Sequence, residues 1–261
     1  MALANILDPI LGPLLQGTGP FATLLIVSIV VSVFTTLIHM FATDQEKLKR
    51  LKADMKRYQA KLKTLKDSPD KAMKVQKDLM KLNGEFMKSS FKTTFYTIIP
   101  LLIFFGWLGV NLAFAPLLPD TSFDVGVTMQ EGVNGAVSLI LPANLSITSN
   151  LTQSTSENTA SWSGISGPAG EYELFVMYNE TGEEQFFSII ITEDFAYENP
   201  VVLLESDIFK QIIVGNEKLY IFRNIFLFKD IPVIKNAGWL GAYILFSLVF
   251  STGLRKVLKL A

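Results

Sequence analysis

The apolar residues of this chain are concentrated in three long blocks that contain no Asp, Glu, Lys or Arg. These blocks are Phe21–Phe41, Phe95–Leu118 and Ala237–Leu254. About 20 apolar residues in helical conformation are needed to cross a bilayer, and a backbone in lipid must satisfy its own hydrogen bonds. The pattern therefore predicts an α-helical membrane protein with three transmembrane helices, over residues 21–41, 93–118 and 237–254.

The first block is not expected to be a cleaved signal peptide. Met1–Pro20 contains Asp8 as its one charged residue, so the basic segment of a signal peptide is missing. The block is also longer than the apolar core of a signal peptide, and no small-residue cleavage site follows it.

The polar stretch at residues 42–92 has apolar residues at heptad spacing, which is typical of a coiled coil. Thr43 and Glu46 have the spacing of a capping box, and Ser68 followed by Pro69 favours a second helix start. The stretch predicts a cytoplasmic antiparallel coiled-coil hairpin. Its two seams consist of Leu48, Leu51, Met55, Tyr58, Leu62 and Leu65, and of Ala72, Val75, Leu79, Leu82 and Phe86.

Residues 119–236 have the alternation of apolar and polar positions that is typical of strands. The candidate strands are Ala136–Leu141, Glu171–Tyr178 and Gln185–Thr192. They predict an extracytoplasmic β-rich insert with a small sandwich over about 120–195. The Ser-, Thr- and Asn-rich residues 144–167 are interpreted as a long loop. Residues 200–235 are interpreted as an amphipathic segment against the membrane, with Ile208, Ile212 and Ile213 on its apolar face.

Charge is distributed unevenly between the segments that connect the spans. Residues 42–92 contain 15 Lys or Arg and 7 Asp or Glu, whereas residues 119–236 contain 5 and 16. Basic residues mark the cytoplasmic side of a membrane protein. We therefore expect a multi-pass protein of the plasma membrane, with residues 1–20 and 119–236 outside and residues 42–92 and the tail 255–261 inside. Three glycosylation tripeptides fall in the outside region, at Asn144, Asn150 and Asn179.

Composition argues against several kinds of chemistry. The chain contains no cysteine and one histidine, His39, so a thiolate site, a cysteine nucleophile or a triad within one chain is not expected. No Gly-rich phosphate loop or convincing carboxylate pair is present. We expect no catalytic residue, no metal and no cofactor, and hence not an enzyme.

Several polar residues within the predicted spans lie on one side of their helix. The candidate set is Ser28, Ser32, Thr35, Thr36, His39, Thr97, Asn111, Ser247 and Ser251. Hydroxyl residues are frequent in membrane helices, where they bond to the preceding turn or to a neighbouring helix, so ordinary packing is one interpretation. The other is a polar groove that opens to the cytoplasm and carries polar groups partway into the bilayer.

Three methionines, Met73, Met80 and Met87, recur every seven residues in the second half of the hairpin. They follow the apolar seam by one position and are expected beside the packed face. Either they widen the seam, or their flexible side chains receive hydrophobic segments of other proteins. The hairpin lysines, among them Lys61, Lys63 and Lys66, either face anionic lipid head groups or contact ribosomal RNA.

Two segments resemble a known family. The string from Gly238 to Lys256, GWLGAYILFSLVFSTGLRK, and the opening Asp8-Pro-Ile-Leu-Gly-Pro-Leu-Leu are similar to archaeal YidC-like proteins of the Oxa superfamily. Relatives of that family include bacterial YidC, the mitochondrial Oxa insertase and the third subunit of the eukaryotic ER membrane complex. The resemblance covers about residues 1–118 and 230–261 and leaves the β insert outside. YidC proteins often have an arginine on the first core span, where this chain has only His39 as an ionisable residue.

The resemblance implies an insertase that needs no nucleotide. Such a protein receives hydrophobic segments of nascent membrane proteins at the hairpin and passes them through a polar groove into lipid. The implied partners are these segments, the ribosome, the lipid bilayer and other insertase or translocon subunits. Two alternatives stay open: a membrane-anchored surface receptor or scaffold that uses the β domain, and an ion-conducting oligomer.

Overall fold

A computed structural model describes residues 6–42, 45–65, 69–223, 225, 228 and 230–257. The chain divides into two compact units. The helical unit comprises Met1–Asp8, Phe21–Trp107 and Leu240–Ala261, and the sandwich unit comprises Pro9–Pro20 and Leu108–Trp239.

The first helix, α1, runs from Asp8 to Ala42 and starts well before the predicted span. Gly19, with φ +79° and ψ 172°, breaks it into two helical segments. A positive φ is costly for residues with a side chain, which explains a glycine at this break. Pro20 then occupies the start of the second segment, where its missing N–H costs no helical bond.

Helix α2 runs from Gln45 to Thr64, and helix α3 runs from Pro69 to Asn111. Helix α3 begins at the proline that the sequence indicated and includes Pro100 in its apolar half. Among the predicted seam residues, Leu51 and Val75 are buried and the others are half-buried. Thr43 and Ser68 of the predicted caps lie outside the described residues.

Three further points bear on the predicted spans. Among the described residues, two helices are long and apolar enough to cross a membrane, Asp8–Ile38 and Pro69–Asn111. Helix α5, at Trp239–Val257, contains the shorter apolar stretch Trp239–Leu254. The second predicted span was too long, because residues 112–118 leave the helix and join the sandwich unit through the backbone bond from Ala115 N–H to the carbonyl of Glu217.

The described part of the sandwich unit contains eight strands in two antiparallel four-stranded sheets. One sheet has the order β4-β1-β8-β7 and the other β3-β2-β5-β6. The strands are β1 Phe123–Met129, β2 Ala136–Ile140, β3 Thr152–Ser154, β4 Thr159–Ile165, β5 Gly170–Tyr178, β6 Glu183–Ile191, β7 Val201–Leu203 and β8 Phe209–Val214. A short helix, α4, follows at Pro232–Lys235. Inward side chains from both sheets share one apolar core around Trp162, Leu174 and Ile212.

The three predicted strands are confirmed as β2, β5 and β6, but two other interpretations were wrong. The predicted loop 144–167 contains β3 and β4, whose inward Ala160 and Trp162 alternate with outward serines. The predicted amphipathic segment contains β8, and Ile212 points into the sandwich core. The sandwich therefore extends beyond residue 195, to Val214.

The N-terminal segment Pro9–Pro20 is part of the sandwich unit. The Gln16 side chain accepts a hydrogen bond from the Phe195 backbone N–H (3.1 Å) and donates one to its carbonyl (3.4 Å). Nearby, the Tyr197 hydroxyl accepts bonds from the backbone N–H groups of Ala113 (3.1 Å) and Phe114 (3.3 Å). Burial raises the pKa of Tyr197, and the two N–H donors oppose that shift.

Candidate functional site

The buried face of α1 carries a row of hydroxyl groups. Ser28, Ser32 and Thr36 are spaced by four residues and are 0, 2 and 5 % exposed. Four-residue spacing places side chains one above the other on a helix. The opposite face is apolar and exposed; it presents Ile26, Ile29, Val30, Val33, Phe34 and Leu37. The second segment of α1 is therefore apolar toward its surroundings, and its buried face mixes hydroxyls with Leu24, Val27 and Val31.

Most of these hydroxyls bond to their own helix. Ser28 Oγ donates to the Leu24 carbonyl (2.7 Å), and Thr36 Oγ1 donates to the Ser32 carbonyl (2.7 Å). The half-buried Thr35 also donates to the Ser32 carbonyl, at 3.1 Å. Ser32 Oγ differs, because it is buried without a hydrogen-bond partner among the described residues. A buried polar group without a partner costs about 1–3 kcal/mol.

A second hydroxyl without a partner lies on α5. Ser247 Oγ is buried and unbonded within the described part of the chain. Helix α5 packs against α3 and α1: the Tyr243 ring meets Phe105 of α3 at 4.8 Å, and the Phe246 ring meets Phe21 of α1 at 5.6 Å. Ser247 therefore directly follows Phe246, the residue of α5 that contacts α1.

Helix α3 carries an exposed apolar row that is separate from its seam. Met73, Met80 and Met87 are 68, 67 and 53 % exposed, so they do not extend the buried seam. The row continues beyond the methionines through Phe91, Phe95, Ile98 and Leu102, all exposed. At 100° per residue these seven side chains lie within a sector of about 80°. We call them the α3 apolar row.

A family model described as "Integral membrane protein EMC3/TMCO1-like" matches residues 8–162, which is more than half of the chain. The chain belongs to the EMC3/TMCO1-like family. This family is part of the Oxa1/YidC/Alb3 insertase superfamily. No curated protein and no solved structure matches the chain.

The family match covers only part of this EMC3/TMCO1-like protein. The matched residues include the described parts of α1, α2 and α3 and end at Trp162 in β4. The string from Gly238 to Lys256, on which the resemblance partly depended, lies outside the matched residues. Family membership therefore rests on the first three helices and the first part of the sandwich.

The EMC3/TMCO1-like structure brings only part of the predicted groove together. Ser28, Ser32, Thr35 and Thr36 share a region of α1, and the hydroxyl of Ser247 is buried on α5 within the same unit. Asn111 is the last residue of α3 and belongs to the sandwich unit, so it is not grouped with them.

The remaining predicted residues vary in how far they are described. Thr97 donates to the Thr94 carbonyl at 2.9 Å and is partly exposed, and Ser251 is half-buried. Lys61 and Lys63 are exposed near the end of α2. Lys66 and the side chain of His39 lie outside the described residues.

Sequence reasoning missed two features of the site. Phe91, Phe95, Ile98 and Leu102 continue the methionine row, and their spacing of three or four residues was the available signal. The unpartnered hydroxyls of Ser32 and Ser247 had no sequence signal, because a serine that bonds to its own helix looks the same in the sequence. Within the described residues, no group of three or more His, Cys, Asp or Glu side chains could hold a metal ion.

Proposed function

We propose that this protein is a membrane insertase of the YidC-like type. It receives hydrophobic segments of nascent proteins and passes them through a polar groove into the bilayer. The observation that carries the proposal is the buried hydroxyl row on α1, with Ser32 Oγ lacking a partner, in a family related to insertases. The proposal includes a plasma-membrane location and an archaeal type of YidC-like protein, as the sequence resemblance implies.

The unpartnered hydroxyls give the groove its chemical role. A hydrophobic segment that enters the bilayer before it is fully helical carries backbone N–H and C=O groups that lipid cannot satisfy. Ser32 and Ser247 each offer a hydroxyl that can donate and accept a hydrogen bond. A hydrogen bond between such a hydroxyl and the client backbone, direct or through water, would satisfy both groups. The groove would thereby lower the free energy of client entry without a nucleotide or a covalent step.

The depth of the groove follows from the ring contacts of α5. Thr97 precedes Phe105 by eight residues and Ser251 follows Tyr243 by eight, which is about 12 Å in each helix. In the proposed topology α3 and α5 run in opposite directions, so Thr97 and Ser251 reach the same depth. Both lie on the cytoplasmic side of the ring contact, where a client would enter.

The proposed topology has three spans, an outside amino terminus and a cytoplasmic carboxyl terminus. Helices α1, α3 and α5 supply the spans, and α5 at 19 residues is about 28 Å long. That length is close to the hydrocarbon thickness of a bilayer. The excess of Lys and Arg in residues 42–92 supports the cytoplasmic placement of α2 and the first half of α3.

The cytoplasmic half of the protein would work as a coiled-coil hairpin with a client-binding side. Burial of Leu51 and Val75, with the other seam residues half-buried, supports pairing of the two seams. The α3 apolar row is away from the seam and continues into the membrane segment, so a client could follow it from Met73 to Leu102. The exposed Lys61 and Lys63 would face the ribosome, where phosphates attract them.

Photo-crosslinking of ribosome-bound nascent membrane proteins tests the client path. Probes at Met80 on the row and at Thr35 in the groove should crosslink to the nascent hydrophobic segment. A probe at Asp78, which is exposed on the same helix and about 100° from the edge of the row, is the matched control and should crosslink much less. Crosslinks confined to the sandwich unit would refute the insertase proposal and favour a receptor.

Activity measurements test the groove itself. The triple variant Ser28→Leu, Ser32→Leu, Thr36→Leu removes the hydroxyl row, and we expect client insertion into proteoliposomes to fall several-fold. Val30→Leu with Val33→Leu changes the exposed face of the same helix and should leave insertion unchanged. Equal loss in both variants would mean that the residues matter for packing alone.

A further inference from the structure

The outward face of the sheet β3-β2-β5-β6 carries an apolar row. Ile140 of β2 pairs with Phe175 of β5, and Phe175 pairs with Phe186 of β6. Phe186 is 63 % and Ile140 is 41 % exposed, and Phe175 is half-buried. The outer face of an antiparallel sheet in water is normally polar. An exposed apolar patch in a soluble domain generally marks something that covers it.

Asn150 continues this row on the side of β3. The register of β2 with β3 pairs Ser138 with Thr152, and the Leu139 N–H donates to the Leu151 carbonyl at 2.9 Å. Asn150 precedes β3, and extrapolating the register two residues beyond the last pair, Ser138 with Thr152, puts it opposite Ile140. Its side chain is exposed and it precedes the strand, so an enzyme can reach it.

Asn150 is also the acceptor residue of a glycosylation tripeptide, Asn150-Leu-Thr. The chain contains two others, Asn144-Leu-Ser and Asn179-Glu-Thr, and both asparagines are exposed in connections between strands. All three tripeptides of the chain lie in the sandwich unit, which the proposed topology places outside the cell.

We propose that Asn150 carries an N-linked glycan whose first sugars cover the row Ile140–Phe175–Phe186. The inference rests on the proposed topology, because glycan transfer takes place outside the cytoplasm. In the transfer, the Asn150 amide nitrogen bonds to the first sugar carbon of a lipid-phosphate-linked oligosaccharide. The bond from that carbon to the phosphate oxygen breaks, the lipid phosphate leaves with the electron pair, and the amide loses one proton.

The dimensions of the sheet fit this occupant. Neighbouring strands are about 4.8 Å apart, so Ile140 is one strand and Phe175 two strands from Asn150. A sugar ring has an apolar C–H face, which can pack on an aromatic ring, and a rim of hydroxyl donors. Glu173 and Glu184 are exposed next to Phe175 and Phe186 on the same face, and their carboxylates can accept those hydroxyl bonds.

The charge of the domain also favours a neutral, hydroxyl-rich group. Residues 93–209 contain no Lys or Arg, whereas 14 Asp or Glu fall within residues 119–209. An anionic ligand, or an anionic membrane surface, would be repelled from this face.

Mass spectrometry of glycopeptides, from protein purified out of its own cell membranes, tests the modification. We expect sugar on Asn150. Both Asn150→Gln and Thr152→Ala should abolish it, since the second variant removes the tripeptide and keeps the asparagine. Asn134→Gln changes an exposed asparagine outside any tripeptide and is the control. An unmodified Asn150 would overturn the proposal.

Cysteine labelling in intact cells tests the covering of the row and uses the cysteine-free chain as background. Phe186→Cys should react several-fold more slowly with a membrane-impermeant maleimide when Asn150 is present than in the Asn150→Gln background. Asn179→Gln, which removes a tripeptide at the turn between β5 and β6, should leave the rate unchanged. Equal rates in the presence and absence of Asn150 would refute the covering role.

The topology is checked independently by Ser161→Cys, on the outward face of the other sheet. Labelling of this cysteine in intact cells places the sandwich outside. An unmodified Asn150 together with labelling of the Ser161→Cys variant would reject the glycan alone. If position 161 is protected in intact cells and reacts after lysis, the proposed topology fails as well.

Discussion

The helical unit and the sandwich unit both bury apolar side chains, but they differ in where they place polar ones and in what they expose. In the sandwich, large side chains such as Trp162 and Leu174 are enclosed between the sheets, and serines alternate outward along β4. In the helical unit, Val30 and Phe34 are exposed while Ser28 and Ser32 are enclosed. The difference shows that each unit is arranged for its own solvent, water for the sandwich and lipid for the outward face of α1.

The two units also differ in how completely their buried polar groups are bonded. In the sandwich the Trp162 indole N–H donates to the Leu151 carbonyl at 2.8 Å, and the Tyr172 hydroxyl donates to the Pro168 carbonyl at 2.9 Å. The buried side-chain atoms without a partner, among the described residues, are Ser32 Oγ and Ser247 Oγ, both in the helical unit. Buried polar groups normally have a partner, so these two hydroxyls need an explanation that the bonded groups of the sandwich do not.

Removing the centre of the sandwich should have the largest effect on stability. Trp162→Ala leaves a large cavity and removes the indole hydrogen bond, so we expect a loss of about 3–5 kcal/mol. Thermal unfolding followed by protease sensitivity of the sandwich measures it. Leu203→Ala, at an exposed position of β7, should cost almost nothing. A similar loss in the two variants would contradict the conclusion that the sandwich is stabilised by an apolar core around Trp162.

A carboxylate on the outward face of α1 tests whether this face is in contact with lipid. Ile29→Asp places a charge near the middle of the predicted span, and the expected cost of membrane integration is about 3 kcal/mol. The fraction of protein that resists alkaline extraction from membranes reports it. Ser161→Asp on the outward face of the sandwich should have no effect on integration. A neutral outcome for Ile29→Asp would mean that this face is not in lipid.

A smaller effect is expected where the N-terminal segment contacts the sandwich. Gln16→Ala removes both bonds to the Phe195 backbone, and we expect a loss of about 1–2 kcal/mol. Hydrogen exchange at the Phe195 amide should become faster, while exchange at Ile191, within β6, should not change. Gln16→Glu keeps the acceptor but loses the donor, so it should fall between the two.

The smallest expected effect is an increase in stability, where the three preceding variants lower stability or membrane integration. Ser32→Ala removes a buried hydroxyl that has no partner, so stability in detergent should rise by up to about 1 kcal/mol. Insertion activity should fall at the same time, because the proposed groove loses a hydrogen-bonding group. Ser28→Ala removes a hydroxyl that is already bonded to Leu24 and should not stabilise the protein. A Ser32→Ala variant with lower stability would show that the hydroxyl has a partner.

The parts of the fold that the sequence predicted are those in which one physical signal dominates. Strands β5 and β6 alternate apolar and polar side chains over nine residues each, so their pattern has one interpretation. The start of α3 at Pro69 follows from the conformation that proline adopts. The low exposure of Leu51 and Val75 agrees with their heptad positions, and the coiled-coil pairing of the two helices stays a prediction.

The errors have identifiable causes. Phe209 and Ile212 both point inward although they are three residues apart, because the pairing with β1 shifts register between Thr128 and Met129. This shift gives β8 a spacing that looks helical. Strand β4 was hidden by its outward serines, and the N-terminal segment of α1 by the prolines and glycines that accompany the break at Gly19.

The candidate site was only partly predictable for a different reason. The sequence shows which positions carry hydroxyls, and the spacing of Ser28, Ser32 and Thr36 shows that they share a face. It cannot show which hydroxyl finds a partner, since that depends on side-chain rotamers and on neighbouring helices. Asn111 was assigned to the groove from its place in an apolar block, but it lies where α3 ends.

The absence of cations from residues 93–209 has a consequence for many copies of the protein in one membrane. Each sandwich is a polyanion, and like charges at neighbouring surfaces repel over about one Debye length, roughly 8 Å at physiological ionic strength. Copies would therefore keep a minimum lateral separation that shrinks as salt is added. In the proposed topology, this charge would disfavour close association of neighbouring sandwich units.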